Sequence, residues 1–70
     1  MNYREVTRKL RALGCQELPR RGGGSHRKWI NPKTLRATIL PEWGSKDLKA
    51  GTVRAAVKQL GIEWSDFEKV

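Results

Sequence analysis

The chain carries one histidine, His26, set in the segment Arg20-Arg21-Gly22-Gly23-Gly24-Ser25-His26-Arg27-Lys28. An imidazole titrates near neutral pH, so it can take or give a proton in a physiological reaction. Three consecutive glycines let the backbone approach a ligand closely and aim successive N–H groups at an anion. Ser25 adds a hydroxyl donor, and Arg21, Arg27 and Lys28 add the positive charge that binds phosphate. Glycines alone would describe any hairpin loop. Glycines, a titratable base and several cations together point to a phosphate-bearing substrate.

The chemistry that suits one imidazole among cations is metal-free RNA cleavage. RNA brings its own nucleophile, the 2′-hydroxyl, so the protein needs only proton transfer and charge stabilisation. His26 would act as general acid or base. Arg27, Lys28 and the glycine N–H groups, Gly24 included, would stabilise charge developing on the phosphate oxygens. With a single histidine, the second proton transfer falls to water and the enzyme is slow. No histidine pair, cysteine pair or close carboxylate set occupies the basic half, so neither a metal nor a cofactor is expected. Cys15, the one cysteine, opens a strand where a core residue belongs and reads as buried rather than nucleophilic. A rival reading is a non-catalytic RNA-binding module using the same residues. A DNA-binding helix-turn-helix fits less well, because the two long helices are separated by strands.

The charge distribution agrees with a polyanionic partner. The 70 residues hold 15 Lys and Arg against 7 Asp and Glu, a net charge of +8. Residues 1–41 carry ten of the basic groups and only Glu5 and Glu17 as acids, whereas residues 42–70 balance five against five. Such asymmetry suggests a face for nucleic acid. No apolar run approaches the roughly 18–20 residues of a membrane span. The first residues lack the apolar stretch of a secretory signal, and one cysteine excludes an internal disulfide framework. A cytoplasmic protein with no membrane partner is expected, of one domain over residues 1–70. A chain this small is marginally stable and gains from a partner or from self-association.

The elements that must position these residues follow from periodicity. Tyr3, Val6, Leu10 and Leu13 fall on one side of a helix over residues 3–13. Asn2 and Glu5 form a capping-box pair at its start, and Gly14 stops it. Arg4, Arg8 and Arg11 line its opposite side. Residues 15–18 form a short strand, which Pro19 keeps out of the sheet centre. Residues 25–30 and 35–40 form an antiparallel hairpin about the turn at Asn31-Pro32-Lys33-Thr34. Alternation places His26, Lys28 and Ile30 on one face and Ser25, Arg27 and Trp29 on the other. Trp29 belongs against the helices, so His26 and Lys28 face solvent. Val53, Ala56, Val57 and Leu60 predict a second long helix capped by Thr52 and closed by Gly61. Leu48 packs ahead of it, and residues 64–70 add a final turn capped by Ser65. Trp43 and Trp64 fall outside the helical periodic sets and are interface candidates. The fold class is α+β, of order α-β-β-β-α, with both helices on one face of a three-stranded antiparallel sheet.

These residues resemble the HicA mRNA-interferase toxins of prokaryotic toxin–antitoxin pairs. The likeness rests on residues 10–14 closing the first helix, on Gly24-Ser25-His26 followed by Trp29, and on residues 37–41. It continues through Gly44-Ser45-Lys46-Asp47-Leu48-Lys49-Ala50-Gly51-Thr52-Val53-Arg54, Leu60-Gly61 and Phe67, so it covers nearly the whole chain. The resemblance implies a double-stranded-RNA-binding-like fold, a catalytic histidine at His26 and cleavage of messenger RNA. It also implies a HicB-type antitoxin covering the His26 face; the expected assembly is either a homodimer or a toxin–antitoxin hetero-oligomer. Three features depart from the family pattern. Cys15 replaces the usual aromatic after Gly14, extra glycines precede Ser25, and Trp43 stands where many relatives have a second histidine.

Overall fold

The computed structural model describes residues 1–19 and 24–70. Helix α1 spans Tyr3–Ala12. Its start is held by a complete capping box, with the Asn2 side chain accepting from the Glu5 N–H at 2.9 Å and Glu5 Oε1 accepting from the Asn2 N–H at 3.0 Å. Gly14, two residues past Ala12, has a φ of +93°, a left-handed conformation that only glycine adopts cheaply. Strand β1 is Gln16–Glu17, β2 is His26–Asn31 and β3 is Arg36–Pro41. Helix α2 spans Ala50–Gln59 and a short α3 spans Trp64–Lys69.

The sheet is antiparallel in the order β1-β2-β3, so β1, which ends two residues before Pro19, is an edge and β2 is central. The β2–β3 register pairs His26 with Pro41, Lys28 with Ile39, and Trp29 with Thr38. Trp29, Asn31, Thr38 and Leu40 are buried beneath the helices. Trp29 Nε1 donates to the Tyr3 hydroxyl of α1 at 3.1 Å, and Thr38 Oγ1 donates to Gln59 Oε1 of α2 at 2.6 Å. Both long helices therefore lie on one face, as in double-stranded-RNA-binding folds. The core joins Val6 and Leu10 of α1, Val53, Ala56 and Val57 of α2, Leu60, Leu48 and Phe67 to that face. Among the described residues, no helix is long and apolar enough to cross a membrane.

Two helix starts differ from the sequence expectation. Helix α2 begins at Ala50 with Lys49 as its N-cap and no side-chain cap bond, rather than at Thr52. Its entry is fixed by tertiary contacts instead: Leu48 is buried, and its N–H donates to the Met1 carbonyl at 2.8 Å. Helix α3 is capped by Glu63 rather than Ser65. It exists because Phe67 is fully buried and Lys9 Nζ of α1 donates to the Phe67 carbonyl at 3.2 Å.

Candidate nucleic-acid site

The site is built where β2 begins. Gly24 has a φ of +116°, a backbone conformation that L side chains rarely adopt. Ser25 follows, and its carbonyl accepts from the Glu42 N–H, extending the ladder one step beyond the His26–Pro41 pair. Both Gly24 and Ser25 are exposed at this strand entry. The hairpin thus delivers His26 at the end of a paired strand rather than on a free loop.

His26 and Lys28 are exposed on the sheet face away from the helices. Two strand positions separate them, roughly 7 Å along the backbone. The His26 imidazole makes no hydrogen bond or ion pair with any described residue. Ile39, the register partner of Lys28, is 58% exposed on the same face, flanked by the part-buried Ile30, Ala37 and Pro41. The face therefore offers an imidazole, an ammonium group and an open apolar strip. In general an exposed ammonium group can meet a phosphodiester oxygen, and an imidazole can carry a proton near neutral pH.

Arg27 is not brought to this face. Its side chain points to the helix side, where Nη1 lies 2.8 Å from Glu17 Oε2 and Nη2 lies 2.7 Å from Glu42 Oε1. Hydrogen bonds to Glu17 and then to Glu42 push the pKa of the guanidinium up from its already high value. Nε of the same group is buried without a partner among the described residues. This clamp ties β1 and the segment after β3 to the central strand. Glu17 also lies 3.9 Å from Arg11 Nη2, and the Arg11 guanidinium stands 4.9 Å from the Trp29 ring centroid. Sequence reasoning missed Glu17 and Glu42 as site-defining residues, because acids from two distant segments meet one arginine only in the folded chain.

Arg21, also expected to bind phosphate, lies outside the described residues, as do Arg20, Gly22 and Gly23. Cys15 is buried, and burial pushes its thiol pKa up, which disfavours the reactive thiolate. No group of three His, Cys, Asp or Glu among the described residues is placed to hold a metal ion. Trp43 is 41% exposed. Trp64 is half-buried against Phe67, with ring centroids 5.1 Å apart, and serves as an edge of the core.

Residues 3–62 match the family described as the HicA toxin of bacterial toxin–antitoxin. The chain is also 38% identical, over 64 residues, to a "Probable mRNA interferase HicA" from Pseudomonas fluorescens (strain Pf0-1). That alignment covers 90% of this chain and 98% of the relative. No solved structure matches the chain.

Proposed function

The chain belongs to the HicA toxin family, and from that premise we propose that it is the toxin of a toxin–antitoxin pair, a metal-independent endoribonuclease that cuts messenger RNA with His26 as its one catalytic imidazole. The observation that carries this reading is the exposed His26 ring, which has no described partner and shares one open sheet face with Lys28. In the reaction, His26 takes the proton of the 2′-hydroxyl. O2′ bonds to phosphorus, and the P–O5′ bond breaks. The departing O5′ is protonated by water, leaving a 2′,3′-cyclic phosphate and a 5′-hydroxyl. Lys28, the Ser25 hydroxyl and the Gly24 backbone meet the phosphate oxygens, and Arg21 adds charge from the preceding segment. Arg27 is assigned to the Glu17–Glu42 clamp rather than to phosphate, since both its terminal nitrogens are already taken by carboxylates. A HicB-type antitoxin is the protein partner, covering the apolar strip around Ile39 together with His26.

The test is cleavage of messenger RNA by the purified chain in the presence of a chelator. Fragments ending in 2′,3′-cyclic phosphate are expected. His26→Ala should slow cleavage by at least ~100-fold, the usual worth of a general acid–base group, with unchanged circular dichroism. Undiminished cleavage by the alanine variant sinks the catalytic assignment. Cleavage that needs a divalent ion sinks metal independence, and tight RNA binding without any cleavage favours a non-catalytic RNA-binding module.

A further inference from the structure

A cationic groove lies where α2, from the part of the sequence with no net charge, meets the start of β3. Five acids balance five bases in residues 42–70, but two of those acids are engaged elsewhere. Glu42 is spent on Arg27, and Asp47 lies 3.5 Å from the Met1 ammonium. Arg54 and Lys58, on the exposed side of α2, take part in no ion pair among the described residues. Nor does Arg36, at the start of β3. These three cations line one depression of about 540 Å³ with Gly61, Glu63 and Trp64. The Arg54 guanidinium stands 4.2 Å from the Trp64 ring centroid, which holds it over the groove instead of leaving it to wander in solvent.

A second depression lies along the edge strand β3, between the cationic groove and Lys28 of the His26 face. Lys28, Ala37, Thr38, Ile39 and Gln59 line a shallower depression that wraps the edge strand β3. Gln59 on its rim is the chain neighbour of Lys58 in the cationic groove, so the two depressions flank the C-terminal half of α2. From His26 to Arg36 the hairpin register advances five positions, roughly 17 Å at about 3.4 Å per residue. That is a separation that several nucleotides of an extended strand can span.

We propose that Arg36, Arg54 and Lys58 form a second RNA contact, holding the backbone of the single strand that leaves His26 over the β3 edge. The occupant is single-stranded RNA because the groove is cationic, lies beside an aromatic ring and is one residue step, at Arg36–Ala37 and at Lys58–Gln59, from the depression that holds Lys28. Phosphates meet the three cations, while Glu63 is the one acid on the rim and opposes them. Since this rests on the ribonuclease reading, binding and cleavage are measured separately.

Labelled RNAs of about four and about twelve nucleotides are bound to the full chain carrying His26→Ala, with anisotropy followed across salt. Adding Arg36→Ala and Lys58→Ala should lower the long-to-short affinity ratio. Two lost phosphate contacts should reduce the slope of log K against log salt by roughly 1.4 for a single strand, so the loss shrinks roughly sevenfold between about 50 and about 200 mM salt. Glu63→Gln should instead tighten binding of the long RNA, an increase that damage to the fold would not produce. An unchanged ratio and slope in the double variant overturns the groove. So does an equal loss for both RNAs, which would reduce the cations to a diffuse field. Cleavage of the same RNAs by the chain with His26 intact judges the nuclease reading independently.

Discussion

Substitutions at positions 27 and 28 are expected to separate two uses of positive charge on adjacent residues. Arg27→Met leaves Glu17 and Glu42 facing each other without the cation that both contact within 3 Å. Removing one member of a part-buried pair costs more than the pair contributes, because the remaining charges stay desolvated. A lowered Tm is therefore expected, with the salt dependence of RNA binding unchanged. Lys28→Met should do the reverse, keeping Tm and reducing the salt slope by about 0.7 for one lost phosphate contact. Thermal melts and anisotropy titrations of the two variants decide it, and a steeper loss of salt dependence in the Arg27 variant would return that residue to the RNA face. The alternation that separates positions 27 and 28 was legible in the sequence, since Trp29 had to face the core. The pairing of Arg27 was not legible: its partners lie 10 and 15 residues away on either side, and residue type alone does not distinguish a satisfied cation from a free one.

At the scale of elements, local signals were read well where the chain satisfies its own polar groups. The Asn2–Glu5 capping box and the left-handed Gly14 and Gly61 are such cases. The starts of α2 and α3 were misplaced because no side chain caps them; buried Leu48 and Phe67 hold them from the far side of the core. The β2–β3 turn shows a third situation. The Asn31 carbonyl accepts from the Leu35 N–H at 2.8 Å, and the Asn31 side chain donates to the Leu60 carbonyl at 2.9 Å. This fixes Leu35 at a φ of +60° with its side chain 80% exposed. A branched residue in that conformation costs on the order of 1–2 kcal/mol relative to the usual backbone regions, and asparagine tolerates it far better. Leu35→Asn gives up little apolar burial, so it should raise stability by about 1 kcal/mol, read as a higher urea midpoint at constant m-value. A lower midpoint would mean that the leucine contributes packing that its exposure conceals.

Across the whole molecule, charge and titratable burial are segregated. The open sheet face and the α2 groove carry cations that make no ion pair among the described residues, whereas the buried interior holds two weak acids in their neutral forms, Cys15 and Tyr3. Burial is the first cause of the raised pKa at each. Nearby Lys33 partly offsets it for the thiol, and the Trp29 hydrogen bond partly offsets it for the phenol. For an acid whose folded pKa is raised, the native state favours the proton. The stability it protects is complete below the unfolded values, near 9.0 for Cys15 and 10.0 for Tyr3, and drains away as pH climbs through the raised folded values. Each group can remove about 1.4 kcal/mol per pH unit within its own window, a large share for a domain of this size. Urea midpoints should therefore hold steady near neutrality and fall from about pH 9 upward. Cys15→Ala should remove the earlier part of the fall and Tyr3→Phe the later part. Curves that stay parallel to the wild type in both variants would show that neither buried acid carries the alkaline loss.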